Sequence, residues 1–353
     1  MTRILKSKTA IVLILLGLTV FVLNACTSAP IYKGGETGHF DGSVFVNRIK
    51  SDKTPWDIVR LFSTFEFYKQ SWPDWIENDA SVVSEVVERS NDLRVTFINH
   101  STFLIQVDGL NILTDPVYSD RVSPFGWIGP KRVRDPGIAL TDLPPIDVVL
   151  VSHNHYDHLD IDSLKALYQQ QQGSEPLILA GLGNSDFFSE EGLSLSKDLD
   201  WLQTTEHKNM KFTFVETRHR SGRGISDQMK TLWGGFVIET SKGPIYFAGD
   251  TGYGPHFNET RERFGDMYLA LLPIGAYEPR WFMRAVHLDP EEAVKAHKDL
   301  GSKNSISMHF GTFQLTLEGV SQPELDLAQA LDKHKVDDAR FQVLAFGQTS
   351  VFL

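Results

Sequence analysis

Residues 91–353 are predicted to form one α/β domain, on three observations. Short apolar runs bounded by Gly, Asp or Pro recur from Leu93 onward, helix-like segments with start and stop signals lie between them, and histidines and aspartates gather just beyond the ends of the runs. Leu93–Ile98, Phe103–Val107 and Leu110–Thr114 read as strands, with Asp108-Gly109 as a hairpin turn. Ile146–Val151 is apolar except for Asp147, the pattern of a strand covered on both faces. Further strands are expected at Leu177–Ala180, Phe212–Glu216, Trp233–Glu239, Ile245–Ala248, Leu269–Leu272 and Phe341–Phe346. Helices are expected at Ile161–Gln172, Pro290–Leu300 and Gln322–His334. In the second, Asp289 is the N-cap, Pro290 takes the first position and Gly301 follows the end. No internal repeat or long linker interrupts the run, so a single domain is expected.

The first 90 residues differ. Arg3, Lys6 and Lys8 precede an almost unbroken apolar run from Ala10 to Leu23, short for a membrane span and suited to a secretory signal peptide. The run ends Leu23-Asn24-Ala25-Cys26, which resembles the lipobox of bacterial lipoprotein precursors. That resemblance implies that residues 1–25 are removed and that Cys26, the only cysteine, is lipidated. The chain would then be a lipoprotein held on a membrane of the bacterial cell envelope, facing the periplasm or the outside. A plain N-terminal transmembrane anchor is the competing reading. Residues 26–90 form an extension rich in aromatics (Trp56, Phe62, Phe65, Phe67, Tyr68, Trp72, Trp75), with an amphipathic helix expected around Pro55 to Gln70. These rings either meet lipid or pack over the main domain.

The formal net charge is −11, and loss of residues 1–25 removes three positive charges and no acidic ones, giving −14. Such acidity argues against a nucleic-acid partner, because Lys and Arg contacts to phosphate dominate that kind of binding.

The chemistry is concentrated in Val149-Leu150-Val151-Ser152-His153-Asn154-His155-Tyr156-Asp157-His158. A buried strand ends and four potential metal ligands follow within six residues, of the imidazole and carboxylate types that suit zinc and similar cations. A spacing of two lets His153 and His155 point the same way from an extended segment. Asp157 and His158 are adjacent and diverge, so they suit a second ion beside the first, and metal pairs in hydrolytic sites stand about 3.5–4 Å apart. Three more candidates lie at strand ends: His219 follows the strand Phe212–Glu216, Asp250 follows Ile245–Ala248, and His309 follows the apolar-polar stretch Ser305-Ile306-Ser307-Met308. Ligands gather at the carboxyl ends of strands in open α/β sheets. Taken singly, His219 and His309 read first as surface or core histidines and Asp250 as a turn residue before Gly252; beside four clustered ligands they complete a site.

The spacing of this set resembles the metallo-β-lactamase superfamily, and more narrowly the group of N-acylphosphatidylethanolamine-hydrolysing phospholipases D. The matching stretches are Leu113-Thr114-Asp115-Pro116, Gly129-Pro130-Lys131-Arg132, Gly275-Ala276-Tyr277-Glu278-Pro279-Arg280-Trp281-Phe282-Met283, His287-Leu288-Asp289-Pro290-Glu291-Glu292-Ala293 and Met308-His309-Phe310-Gly311-Thr312-Phe313. They run through residues about 93–347. The resemblance implies a four-layered αββα sandwich and two zinc ions, although the same ligands accept iron or manganese. It assigns His153, His155 and His219 to one ion, Asp157, His158 and His309 to the other, and Asp250 to a bridge between them. Asp115 and His287 match further positions tied to activity: Asp115 as a hydrogen-bond partner orienting a ligand histidine, His287 as a proton donor or phosphate contact.

The expected reaction is metal-dependent phosphodiester hydrolysis of a phospholipid by a metal-bridging hydroxide, with Asp157, Asp250, His287 and Asp115 carrying catalysis. A phospholipase D cut would turn N-acylphosphatidylethanolamine into N-acylethanolamine and phosphatidic acid. A lactonase or small-molecule phosphodiesterase on the same fold is the alternative. An envelope binding protein with a vestigial site would show degraded ligands, whereas all seven are present here. His100, in Asn99-His100-Ser101, is read equally as a neighbour of the site or a structural residue. His39, His207, His256, His297 and His334 lie in no motif and are expected to face solvent.

Overall fold

A computed structural model describes residues 31–50, 54, 56, 57, 59–61, 63 and 69–352. The expected signal peptide and Cys26 lie outside the described residues, as do Phe62, Phe65, Phe67 and Tyr68. No described helix is long and apolar enough to cross a membrane.

Two seven-stranded sheets form the centre. The first joins β1 (Leu93–Asn99), β2 (Thr102–Val107), β3 (Leu110–Thr114), β4 (Val148–Leu150), β5 (Leu177–Gly181), β6 (Ser196–Leu199) and the C-terminal β14 (Thr349–Phe352), in the order β14-β1-β2-β3-β4-β5-β6. The second contains β7 (Thr204–His207), β8 (Met210–Val215), β9 (Gly235–Thr240), β10 (Gly243–Phe247), β11 (Leu269–Pro273), β12 (Asn304–Met308) and β13 (Phe341–Gln342), in the order β13-β12-β11-β10-β9-β8-β7. Each sheet passes from antiparallel pairings at one side to parallel ones at the other, with the change at β3 in the first and β10 in the second.

Strand alternation builds the layers. Val148 and Leu150 of β4 point into the large core between the sheets, together with Val95, Phe97, Phe103 and Ile105. Val149 and Val151 point the other way, into a second core with Leu164 and Leu167 of helix α1 (Ile161–Gln170) and Phe187 and Phe188 of α2 (Ser185–Glu190). The near-continuous apolar run of β4 therefore reflects burial on both faces. Helices α3 (His256–Phe264), α5 (Pro290–Asp299) and α6 (Gln322–His334) belong to the second sheet's side, and α5 packs on β11. The short α4 (Arg280–Met283) precedes α5. The outcome is the expected αββα sandwich.

Several local readings hold in detail. Asp108 (φ 52°) and Gly109 (φ 77°) both adopt the left-handed conformation that a two-residue hairpin turn requires. The Asp289 side chain accepts the Glu292 N–H at 2.8 Å, and Pro290 opens α5. Other boundaries differ. The strand expected at Ile146–Val151 shrinks to Val148–Leu150, that at Phe341–Phe346 to Phe341–Gln342, and α1 ends at Gln170 rather than Gln172. Asp147, just before β4, accepts from Arg89 Nη1 at 2.5 Å, from Lys208 and from the Asn111 N–H at 2.9 Å. The two cations outweigh burial and hold its carboxyl below the usual range. The extension is seated on the domain at Phe40 and Phe45, both buried in the inter-sheet core, and the Trp72 indole donates to the Glu318 carbonyl at 2.8 Å.

Candidate metal centre

The site lies at one edge of the sandwich, where strand ends from both sheets meet. Asp115 follows β3, the 153–158 loop follows β4, His219 follows β8, Asp250 follows β10 and His309 follows β12. Parallel pairing of β3 with β4 sets Asp115 beside Val151, with the Asp115 N–H on the Leu150 carbonyl at 2.8 Å. A register shift in β1 between Phe97 and Asn99 turns the chain so that His100, at φ 47°, faces the same place.

All seven predicted ligands converge. His153 Nε2 lies 2.8 Å from His155 Nδ1, which lies 3.2 Å from His219 Nε2. Beside this trio, His158 Nε2 and His309 Nε2 each lie 3.5 Å from Asp157 Oδ2. Asp250 stands between the groups: its Oδ2 is 3.5 Å from His219 Nε2 and 3.2 Å from His158 Nε2, and its Oδ1 is 3.2 Å from His309 Nε2. The other two predicted residues are here too. Asp115 Oδ2 accepts from His158 Nδ1 at 2.7 Å, and His287 Nδ1 lies 3.9 Å from Asp250 Oδ2.

Electrostatics divide the histidines. Burial pushes His153 and His155 well below the ordinary imidazole value, neighbouring cationic groups (His158 and His155 beside His153, His219 and Arg220 beside His155) add to this, and burial takes His219 down to about 4. Burial also opposes charge on His158 and His309. There the carboxylates of Asp250 and Asp157 overcome it, raising His158 well above its usual value and His309 to about 9. The carboxylates in turn are held low, against their own burial, by those imidazoles.

This donor set fits a pair of divalent cations. His158 Nε2, both ring nitrogens of His309 and Asp250 Oδ1 are buried without a hydrogen-bond partner, a costly state for polar atoms unless something else satisfies them. Zinc–nitrogen bonds of about 2.0–2.1 Å in a tetrahedron place ligand atoms about 3.3 Å apart, close to the spacing of the His153, His155 and His219 nitrogens.

Residues 110–310, over half of the chain, match the family described as the beta-lactamase superfamily domain. The chain belongs to the metallo-β-lactamase superfamily. It is a metal-dependent hydrolase of that fold. Across 278 residues it is 34% identical to N-acyl-phosphatidylethanolamine-hydrolyzing phospholipase D 1 of Caenorhabditis elegans, covering 76% of this chain and 78% of that one. A mitochondrial enzyme of the same description from Saccharomyces cerevisiae is 37% identical over 65% of this chain, which spans 50% of the yeast protein. A solved metallo hydrolase from the archaeon Ignicoccus hospitalis shares the fold, with a TM-score of 0.54 at 20% identity, over 74% of this chain and 98% of that one.

In this metallo-β-lactamase-fold site the structure places His100 as a neighbour of the ligands, one of its two sequence readings, and adds two residues that sequence reading misses. His100 Nε2 lies 3.2 Å from Asp157 Oδ2 and its ring packs 4.0 Å from that of His309. The Arg223 guanidinium covers the Tyr156 ring at 3.8 Å and donates to the carbonyls of Asn154 and Leu159, pinning the ligand loop from outside. Ser152 contacts both Asp115 and His153. Neither Arg223 nor Ser152 stands in a pattern that announces it. Two histidines expected in solvent are instead buried: His256 Nε2 meets Thr251 Oγ1 at 3.1 Å, and His297 Nδ1 meets Ser305 Oγ at 2.8 Å. Helices α3 and α5 turn these positions inward, which isolated histidines cannot reveal in sequence. His39 is half-buried against Trp201 and pairs with Asp200 at 2.6 Å.

Proposed function

We propose that this hydrolase cleaves N-acylphosphatidylethanolamine in the phospholipase D manner, releasing N-acylethanolamine and phosphatidic acid. The observation behind the reading is the likeness to the C. elegans phospholipase over 76% of this chain, together with the convergent His/Asp cage, which lies inside the matched family domain of residues 110–310. In this proposal His153, His155 and His219 hold one cation, Asp157, His158 and His309 hold the other, and Asp250 lies between the two. Two bound divalent cations, zinc in first place, supply Lewis acidity: they make water a nucleophile near neutral pH and offset charge on the phosphodiester.

The chain's own residues set the rest. Asp250, buried and ionised, offsets the repulsion of two cations held close together. His287 packs against the His219 ring at 5.0 Å with its Nδ1 unpartnered, and burial keeps it neutral. As a neutral imidazole it is placed to donate to a phosphate oxygen, or to take up the proton released by the attacking water and hand it to the departing alcohol. Water adds across the phosphodiester bond on the N-acylethanolamine side, its hydroxyl staying on phosphorus and its proton going to the alcohol. Lipidation of Cys26 would hold this activity on an envelope membrane; Cys26→Ala should then release the chain from the membrane fraction.

The test is a side-by-side assay of the purified chain on N-acylphosphatidylethanolamine, phosphatidylethanolamine and a simple lactone. Phosphatidic acid and N-acylethanolamine in equal amounts support the proposal. Turnover of the lactone alone sinks it.

A further inference from the structure

We infer that Ser152 is a positioning residue that fixes the tautomer of His153 and links one cation group to the carboxylate that orients the other. The inference rests on the reading of the metal centre given above.

Asp115 is buried and takes three contacts: the Ser152 N–H at 2.7 Å on Oδ1, and the Ser152 hydroxyl at 2.6 Å and His158 Nδ1 at 2.7 Å on Oδ2. Ser152 Oγ also lies 2.9 Å from His153 Nδ1. A hydroxyl has one proton to give. If it went to His153, two oxygens would face each other at 2.6 Å with nothing between them. The proton therefore goes to Asp115, and Ser152 Oγ accepts from His153 Nδ1–H. His153 Nε2 is left bare, directed at the nitrogens of His155 and His219.

Asp115 thus reaches both groups, His158 directly and His153 through Ser152. The relay has little freedom. Gly249, at φ 57°, backs onto Ser152 so closely that a Cβ there would lie 2.5 Å from Ser152 Cβ. Partners of this kind behind ligand histidines typically change metal affinity by about 10–100-fold.

The experiment titrates metal-free wild-type, Ser152→Ala and Asp115→Asn proteins with Co²⁺, and reads the His153 tautomer by ¹⁵N imidazole NMR. Ser152→Ala should weaken one of two Co²⁺ equivalents by about 10–100-fold and leave the other in place. Asp115→Asn should weaken both. His153 should carry its proton on Nδ1 in the wild type and lose that preference in Ser152→Ala. An unchanged tautomer with unchanged affinities, or equal weakening of both equivalents by Ser152→Ala, overturns the inference. If Ser152→Ala proves unstable, Ser152→Cys keeps the packing against Gly249 with a much weaker donor. If wild-type protein binds no Co²⁺ the metal-centre reading fails, while the tautomer measurement still decides the role of Ser152.

Discussion

Asp250 Oδ1 lies 3.2 Å from His309 Nε2, although the two residues end strands that are not neighbours: β11 runs between β10 and β12. Only the fold brings them together, and with them the two halves of the ligand set. Asp250→Asn keeps the shape and removes the negative charge at the centre of five imidazoles. The folded variant should retain less than one metal equivalent and lose more than about 100-fold in kcat/KM, beyond what loss of an outer partner costs. Metal analysis with steady-state kinetics checks this, and circular dichroism confirms that the fold persists.

A second prediction concerns backbone support for His309. Gly275 follows β11, and a Cβ added there would lie 1.9 Å from the His309 carbonyl oxygen. Gly275→Ala must therefore displace the His309 backbone and disturb its place beside Asp250. Overpacking of this kind costs about 1–3 kcal/mol, and one of the two metal equivalents should bind at least about tenfold more weakly. Denaturant unfolding and metal titration read the two effects separately. A variant with wild-type stability and both metals would show that the edge tolerates the shift.

How far the sequence reveals this protein depends on burial. β4, packed on both faces, sits in an apolar run, as does the fully buried β11, and the α5 start is marked by Asp289 and Pro290. Of the strands absent from the expected list, β6 (Ser196–Leu199), β7 (Thr204–His207) and β14 (Thr349–Phe352) are sheet edges, and the overextended β13 is the fourth edge; the remaining one, β12 (Asn304–Met308), is central, and its serines break the apolar run that marks other buried strands. Edge strands are short and polar because one side of their ladder stays open, so their composition resembles a loop. The site divides the same way. His153 to His158 share one loop and announce themselves. His219, Asp250 and His309 become informative only as a set, while His100, Ser152 and Arg223 act through hydrogen bonds and packing that one-dimensional spacing does not record.

Acid sensitivity follows from His297. Burial holds it neutral down to about 4 in the folded chain, against 6.5 for an exposed imidazole. As pH falls, the unfolded state takes up the proton first, so stability declines from about pH 6.5 and this contribution levels off near pH 4. The gap corresponds to about 3 kcal/mol. His297→Gln should flatten the loss of stability between pH 6.5 and 4 by close to one proton, at a cost of roughly 1 kcal/mol at pH 7.5 from the weakened contact with Ser305. Denaturant midpoints across that range test it, and parallel curves for the two proteins would contradict it.

Metal content per chain tests the central claim most directly. After purified protein is stripped with a chelator, reloaded with zinc and dialysed, elemental analysis should find two equivalents per chain. One equivalent or none, in a folded protein, would contradict a cage in which His153, His155, His219, Asp157, His158, His309 and Asp250 together hold a pair of cations.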